Sequence, residues 1–373
     1  MPGIYIHIPF CDTKCIYCDF YSVTNHSRKD EYINCLIKEI QNHSLNLGDR
    51  IFDSVFIGGG TPSLLSYDEL ASLFEVLFYS LNISDNSEIT VEANPGTLDK
   101  NKLKEFKHLP VNRLSFGVQS FIDSELKFLT RIHNSTEAER CIKDAQSAGY
   151  SNINLDLIFA IPGQSLDSWK FNLDKAVSLN TQHISAYSLI FEEGTPLYTM
   201  FRNKKVKCAD TELERRMYDH TMYFLAENDF MQYEISNYAK EDYECRHNLK
   251  YWSHEEYIGF GASSASFIDN YRWVNVRSID EYIKRISSGN NASGLIEYID
   301  TDTSIYEYIF LGLRSRGINF RTFKDTYKID FRKRYSETIE LLTSNGFASI
   351  DTNTIRLTPK GYAVCDEIIA SYF

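Results

Sequence analysis

A chain of 373 residues, 43% of them apolar, can bury one large core with a smaller appendage, and a single very small domain is excluded. A formal charge of −12 argues against a protein whose main task is to coat nucleic acid or an anionic membrane, while leaving room for a local basic patch. Residues 1–10 have no basic start and no small-residue cleavage site, and no apolar stretch reaches the length of a membrane span, so a cytoplasmic protein is expected.

In chain order, the first strand-like run is Ile4–Ile8, followed by Cys11, Cys15 and Cys18 and by a helical pattern over Glu31–His43 with Ile33, Leu36, Ile37 and Ile40 on its apolar face. Ser54–Ile57 reads as a second strand ending in Gly58, Gly59, Gly60, Thr61 and Pro62, ahead of a helix over Tyr67–Leu81 that Ser66 and Glu69 would cap. A third strand, Ile89–Glu92, runs into Ala93, Asn94 and Pro95. A fourth, Arg113–Val118, runs into Gln119 and a helix over Asp123–Leu129. Thr136–Ala148 is helical, with Ser135 as the expected cap. The fifth strand, Ile153–Phe159, carries Asp156. A helix over Leu166–Leu179 and a sixth strand, His183–Leu189, complete the series.

Strand–helix alternation implies parallel strands with helices outside, as an open doubly wound sheet or a complete or partial (β/α) barrel. The polar motifs follow successive strands, where a barrel collects its chemistry; an open sheet would concentrate it at one switch point. The expected fold is α/β, a partial barrel over residues 1–290 with accessory elements, followed by a small winged-helix-like domain over 291–373. The latter rests on helical Ser304–Arg314 and Phe331–Ser344, a hairpin at Ala348–Leu357 and a helical tail from Lys360. Arg314, Arg316, Arg321, Lys324, Lys328, Arg332, Lys333 and Arg334 make its first half basic. Charge runs are usually solvated faces and the chain is acidic, so no nucleic acid is expected, and a domain covering the barrel mouth is the favoured reading.

In a reducing compartment, three cysteines within eight residues point to metal ligation rather than disulfides, and the scattered Cys35, Cys141, Cys208, Cys245 and Cys365 read as small buried hydrophobes. Three protein thiolates leave one coordination position open, the arrangement expected where a metal site must bind a substrate or cofactor directly. A zinc site completed by His7, or inert thiols, are the alternatives. No second Cys-x-x-Cys knuckle accompanies the first.

The Cys-x-x-x-Cys-x-x-Cys spacing resembles the radical S-adenosylmethionine signature, and the text around it, Ile4–Cys11 and Cys18–Ser22, is similar to the coproporphyrinogen III oxidase-like family over nearly the whole chain. The resemblance implies a [4Fe–4S] cluster on Cys11, Cys15 and Cys18 whose fourth iron chelates S-adenosylmethionine. It implies that Gly59, Gly60 and Thr61 lie beside the cofactor's amino group, and that Glu92, Gln119, Arg131 and Asp156 are further cofactor ligands, with Tyr5 and Tyr17 close by. Any one of these alone would be better read as a surface or structural group. Their chemistry nonetheless suits ribose hydroxyls, an ammonium and a carboxylate.

Within that family, the oxygen-independent coproporphyrinogen III dehydrogenase carries a further cysteine two residues beyond the triplet, where this chain has Phe20, and an N-terminal extension, whereas this chain begins close to the triplet. The His247-Asn-x-x-Tyr-Trp252 pattern is typical instead of the haem-chaperone branch. The resemblance therefore implies a protein that binds haem and delivers it to client haemoproteins, with a peripheral membrane contact open, rather than one that oxidises a porphyrinogen. His247 is a candidate haem ligand, as is Cys245, and Tyr251 and Trp252 could stack on a porphyrin. A packed aromatic turn with a hydrogen-bonded histidine stays open as the alternative. A winged-helix regulator that senses redox through its cluster is a third class.

Overall fold

The computed structural model describes residues 1–44 and 47–373. The alternation runs β1 (Gly3–Ile8), α1 (Lys29–Ser44), β2 (Ile51–Gly59), α2 (Tyr67–Ser80), β3 (Asn82–Ala93), α3 (Lys100–Phe106), β4 (Arg113–Gln119), α4 (Asp123–Phe128), α5 (Ser135–Ser147), β5 (Ile153–Phe159), α6 (Leu166–Ser178) and β6 (His183–Ser188). The six strands pair in parallel in sequence order. Of these helices, α3 carries no expectation from the sequence; Asp99 starts it by accepting from the Asn101 and Lys102 amides. The Ser66–Glu69 box caps α2 as expected. The cap of α5 is Asn134 with Glu137, one residue before the expected Ser135, which is instead its first helical residue.

Strand register sorts the side chains into two faces. Ile4, Ile6 and Ile8 on β1, Val55 and Ile57 on β2, Val91 on β3 and Leu114 and Phe116 on β4 are all buried. They pack in one core with Leu36 and Ile40 of α1, Leu73 and Leu77 of α2 and Trp169 of α6. The opposite face lines the barrel. Register carries it from Ser54 to Glu88, from Thr90 to Arg113, and through Ser115, Asn154 and His183, so the interior is polar and buried.

The chain continues through α7 (Pro196–Arg202), α8 (Thr211–Glu227), β7 (Met231–Gln232), β8 (Asn237–Ala239), α9 (Arg246–Trp252), β9 (Tyr257–Phe260), β10 (Ala265–Ile268), β11 (Tyr271–Asn275), α10 (Ile279–Ser287) and β12 (Ser293–Tyr298). β8 adds antiparallel to β6, whereas β9 adds parallel to the far side of β1 and leads into an antiparallel meander ending in β12. With other strands at both ends, β1 and β6 leave the barrel partial. Glu39 of α1 fastens the extension: its carboxylate accepts from the Gly261 amide at 2.7 Å, Tyr282 Oη at 2.7 Å and Asn275 Nδ2 at 2.7 Å.

The remaining elements are α11 (Thr301–Leu313), β13 (Ile318–Asn319), α12 (Phe320–Tyr327), α13 (Phe331–Arg334), α14 (Ser336–Ser344), β14 (Ala348–Ile350), β15 (Thr354–Leu357), α15 (Pro359–Tyr362) and α16 (Cys365–Tyr372). The three strands form a separate sheet in the order β13–β15–β14 over their own core, which includes Leu313, Phe323, Phe331 and Leu342. This is the winged-helix-like arrangement expected, with the long helix split at Tyr335. Because β12 pairs with β11, residues 293–298 belong to the large sheet, and the second domain starts later than residue 291.

This domain docks against the floor of the barrel, where the strands begin, and not over its mouth. Ser315 Oγ donates to the Tyr233 carbonyl at 3.0 Å, and Glu307 pairs with Arg272 at 2.7 Å and His254 at 3.1 Å. Several of the basic residues serve this architecture: Arg332 stacks on Phe320 and donates to the carbonyls of Asp351 and Thr352, while Arg314 pairs with Asp366 and Arg316 with Glu244.

Candidate functional site

The loop after β1 carries the three cysteines, and its ends are clamped together: Cys11 donates its amide to the Val23 carbonyl at 3.0 Å and Val23 to the Pro9 carbonyl at 2.7 Å. Cys11, Cys15 and Cys18 are free thiols, each half-buried. Burial raises Cys11 against the Thr61 hydrogen bond, and pushes Cys18 up to about 11 against the Phe20 backbone. The other cysteines are buried as expected, except Cys208, which is exposed ahead of α8.

His7 is not their fourth partner. Its Nε2 donates to the Tyr21 carbonyl at 2.8 Å, its Nδ1 accepts from Tyr5 Oη at 3.0 Å, and burial lowers it to about 4, so the ring stays neutral with both nitrogens used. Among the described residues, no three His, Cys, Asp or Glu side chains converge on a position for a single metal ion. What does face the thiols is a cation. Arg131 Nη1 donates to Cys15 Sγ at 3.3 Å, and its Nε is buried with no hydrogen-bond partner. A guanidinium with a spare buried donor beside three thiols, one of which also accepts from Thr61 Oγ1 at 3.4 Å, fits a thiolate-held cluster with an anionic ligand next to it. Tyr17 lies half-buried against Cys15 and Arg131.

At the end of β2 the amides of Gly60 and Thr61 donate to the carbonyls of Ile8 and Phe10, both at 2.8 Å. Gly59 has φ +109° and sits on the His7 ring, and a Cβ on Gly60 would come within 2.7 Å of the Phe10 carbonyl oxygen. These glycines bring β2 against the cluster loop. With its amides engaged, the segment can offer only carbonyl oxygens to a ligand, which suits an ammonium group.

Glu92 connects this segment to the barrel interior: its Oε2 accepts from the Gly59 amide at 3.1 Å. Burial, reinforced by the nearby Asp156 carboxylate, pushes Glu92 up to about 8. Asp156 is also raised by burial and accepts from Asn154 Nδ2 at 2.8 Å and Ser115 Oγ at 3.4 Å. Gln119 holds the left-handed conformation, φ +68°, after a register shift at the end of β4. A Cβ on Gly117 would meet both Gln119 Nε2 at 2.9 Å and Arg131 Nη2 at 3.2 Å, so this glycine is where the two side chains come together. Arg131 Nη2 also donates to Asn94 Oδ1 and to the Gly117 carbonyl at 2.7 Å. The expected cofactor residues thus form one continuous surface from the thiols to the paired carboxylates. Asn94 was not singled out, although it lies two residues beyond Glu92 in a motif already noted.

His247 stands apart from this surface, on the barrel floor and 1% exposed. Glu88 of β3 accepts from the amides of Arg246 and His247, each at 3.1 Å, and from Cys245 Sγ at 3.5 Å, which plugs α9 into the barrel. Ser54 Oγ lies 2.9 Å from His247 Nδ1 and Tyr251 Oη 2.8 Å from Nε2. Burial lowers the imidazole to about 3. Neither ring nitrogen is free, so ligation of iron by His247 requires α9 to leave the floor; the packed, hydrogen-bonded alternative describes this geometry. Cys245 is likewise fully buried. Between floor and mouth, a cleft of about 310 Å3 opens beside β1, with Tyr251 among its walls and Phe20 and Arg277 at its rim. Arg277 gave no local signal in the sequence.

Comparison with known proteins places these features. The Radical SAM superfamily pattern matches residues 5–176 and the HemN C-terminal domain matches residues 299–364. The chain is 36% identical to the haem chaperone HemW of Bacillus subtilis, with 100% of this chain and 99% of that protein covered. It is 33% identical to HemW of Lactococcus lactis, with coverages of 99% and 96%. Among solved structures, coproporphyrinogen III oxidase (HemN) from Escherichia coli superposes with a TM-score of 0.85 at 22% identity, covering 100% of this chain and 90% of that one, and so shares the fold.

Proposed function

The chain belongs to the HemW family of radical S-adenosylmethionine proteins, and from that premise we propose that it is a haem chaperone, binding haem and delivering it to client haemoproteins. Membership of the radical S-adenosylmethionine family implies a [4Fe–4S] cluster and S-adenosylmethionine. The proposed holders of the cluster are Cys11, Cys15 and Cys18. Arg131 and Gln119 would take the carboxylate of S-adenosylmethionine, the carbonyls of Gly59, Gly60 and Thr61 its ammonium, and Glu92 and Asp156 its ribose hydroxyls, with Tyr17 packed against the set. When bound, these groups supply an electron and a cleavable sulfonium. The protein's part is to fix their orientation with Arg131 and to exclude water behind Tyr5, whose Oη is engaged by His7.

Phe20 is the observation that carries the choice of haem handling over porphyrinogen oxidation. Where the dehydrogenase signature has another thiol, the cluster loop here ends in an aromatic ring 70% exposed at the rim of an aromatic-walled cleft. An exposed phenylalanine at such a rim is suited to covering a flat apolar ligand. Among the described residues no helix is long and apolar enough to cross a membrane, so any membrane contact during delivery in the cytoplasm would be peripheral.

The test is anaerobic reconstitution followed by two assays on the same sample. Titrated haem should give a saturable Soret shift, and apo-haemoprotein added afterwards should acquire the haem. Sustained conversion of coproporphyrinogen III to protoporphyrinogen IX, without haem transfer, would replace this reading by the oxidase one.

A further inference from the structure

The cleft beside β1 reaches from the cluster loop to the floor. Tyr257, at the start of β9, pairs in register with Gly3, and with Tyr5 and Tyr251 it gives the cleft aromatic walls. Asp19, Phe20 and Arg277 lie at the outer end. At about 310 Å3 and open to solvent, it has room for one edge of a planar ligand rather than for a whole macrocycle.

Among the described residues that line it, Arg277 is the one cation. Its Nη2 donates to the Asp19 carbonyl at 2.6 Å and reaches Asp19 Oδ1 at 3.4 Å. Among the described residues the other guanidinium nitrogens find no partner, which leaves N–H donors available to a carboxylate. Among the described residues of this lining the Asp19 carboxylate is the only competing anion, and at 3.4 Å, with both side chains more than half exposed, the pair is weak.

We propose that this cleft is a tetrapyrrole subsite in which Arg277 pairs with a propionate carboxylate at the ligand's edge and Phe20 covers a face of the macrocycle. The proposal rests on the haem-chaperone reading and adds the place where haem is held. It also gives haem a route to the cluster loop: Arg277 is fastened to Asp19, the residue next to Cys18, so occupancy by a propionate acts on the backbone that holds a cluster ligand.

The experiment titrates full-length, reconstituted protein with haem and with haem dimethyl ester, in which both propionates are blocked, and follows the Soret band. A charge-assisted contact at a half-exposed guanidinium predicts that wild type binds the diester about tenfold more weakly than haem. Arg277→Gln should lose about the same factor for haem and no longer distinguish the two ligands, and Arg277→Lys should recover part of the discrimination. Phe20→Ala should weaken both ligands equally. Far-UV circular dichroism and the thermal unfolding midpoint check that each variant keeps its fold. The proposal is overturned if Arg277→Gln discriminates as wild type does, or if wild type binds haem and its diester equally. Absence of saturable binding of either ligand to wild type would instead remove the haem-chaperone reading itself.

Discussion

Arg131 and Cys15, 116 residues apart in the chain, touch: Nη1 donates to Sγ at 3.3 Å while Nη2 is held by Asn94 and the Gly117 carbonyl. The planar fork serves these three acceptors from two separate nitrogens, a spread that the single nitrogen of an ammonium does not reproduce. Arg131→Lys should therefore retain the cluster but weaken S-adenosylmethionine binding by about tenfold or more, read from the cofactor-induced change in the reduced cluster's EPR spectrum. Unchanged affinity would show that the fork acts on the thiol alone.

Gly60 has no room for a side chain against the carbonyl oxygens of Phe10 and Ile8. Gly60→Ala should push the cluster loop away from β2 and lower the iron bound per chain after reconstitution. Leu70→Ala, on the buried face of α2, should lower stability by about 2–5 kcal/mol and leave the iron content near normal.

Glu88 anchors α9 from across the barrel. Glu88→Ala leaves the Arg246 and His247 amides without their acceptor in a buried setting. A loss of about 2–4 kcal/mol is expected in urea unfolding. Glu88→Gln, which keeps one acceptor oxygen, should cost less.

Burial raises Glu39 to about 7 against its three donors, whereas in the unfolded chain it ionises near 4.5. Between these values the folded state binds more protons, so this group's contribution to stability falls as pH rises from about 4.5 and is lost above about 7, a span of about 3 kcal/mol. Glu39→Gln removes the ionisation. The stability of wild type relative to this variant should decline over that window when denaturation midpoints are compared from pH 4.5 to pH 8.

His247 as a floor residue makes a prediction distinct from His247 as an iron ligand. His247→Ala strands Ser54 Oγ and Tyr251 Oη in a buried site and should cost about 2–4 kcal/mol even without haem. Hydrogen exchange of the α9 amides should be unchanged by haem. Loss of their protection on haem addition would mean that the helix leaves its place to ligate iron.

What the sequence made legible follows from distance along the chain. β1 to β6 and their helices announce themselves because alternation and capping are local, and the Ser66–Glu69 box is spelled out in four residues. The α5 cap shifted by one because Asn134, Ser135 and Thr136 are all competent caps, and only backbone geometry chooses among them. The extension from β7 to β12 left no comparable trace: its strands are two to six residues long and owe their pairing to neighbours already in the sheet. The cysteine triplet was visible as a motif. Its partners Arg131 and Thr61 were visible only through resemblance, since nothing near them in sequence demands a thiol. His247 shows the opposite case, in which a correct motif lies against Glu88, 159 residues earlier, and the contact turns a candidate ligand into part of the floor.

The clamp between the cluster loop and the far end of the barrel bears on how the protein is made. Tyr21 Oη accepts from the Ile279 amide at 2.8 Å, Arg277 holds Asp19, and Tyr282 closes the Glu39 hub. The loop that presents the cysteines is translated well ahead of the residues that finish it, which follow some 260 positions later. Cluster insertion by a cellular iron–sulfur donor is therefore expected to follow synthesis of the barrel rather than accompany it. Ribosome-stalled chains ending before Arg277 should accept less iron than chains that extend past Ser287.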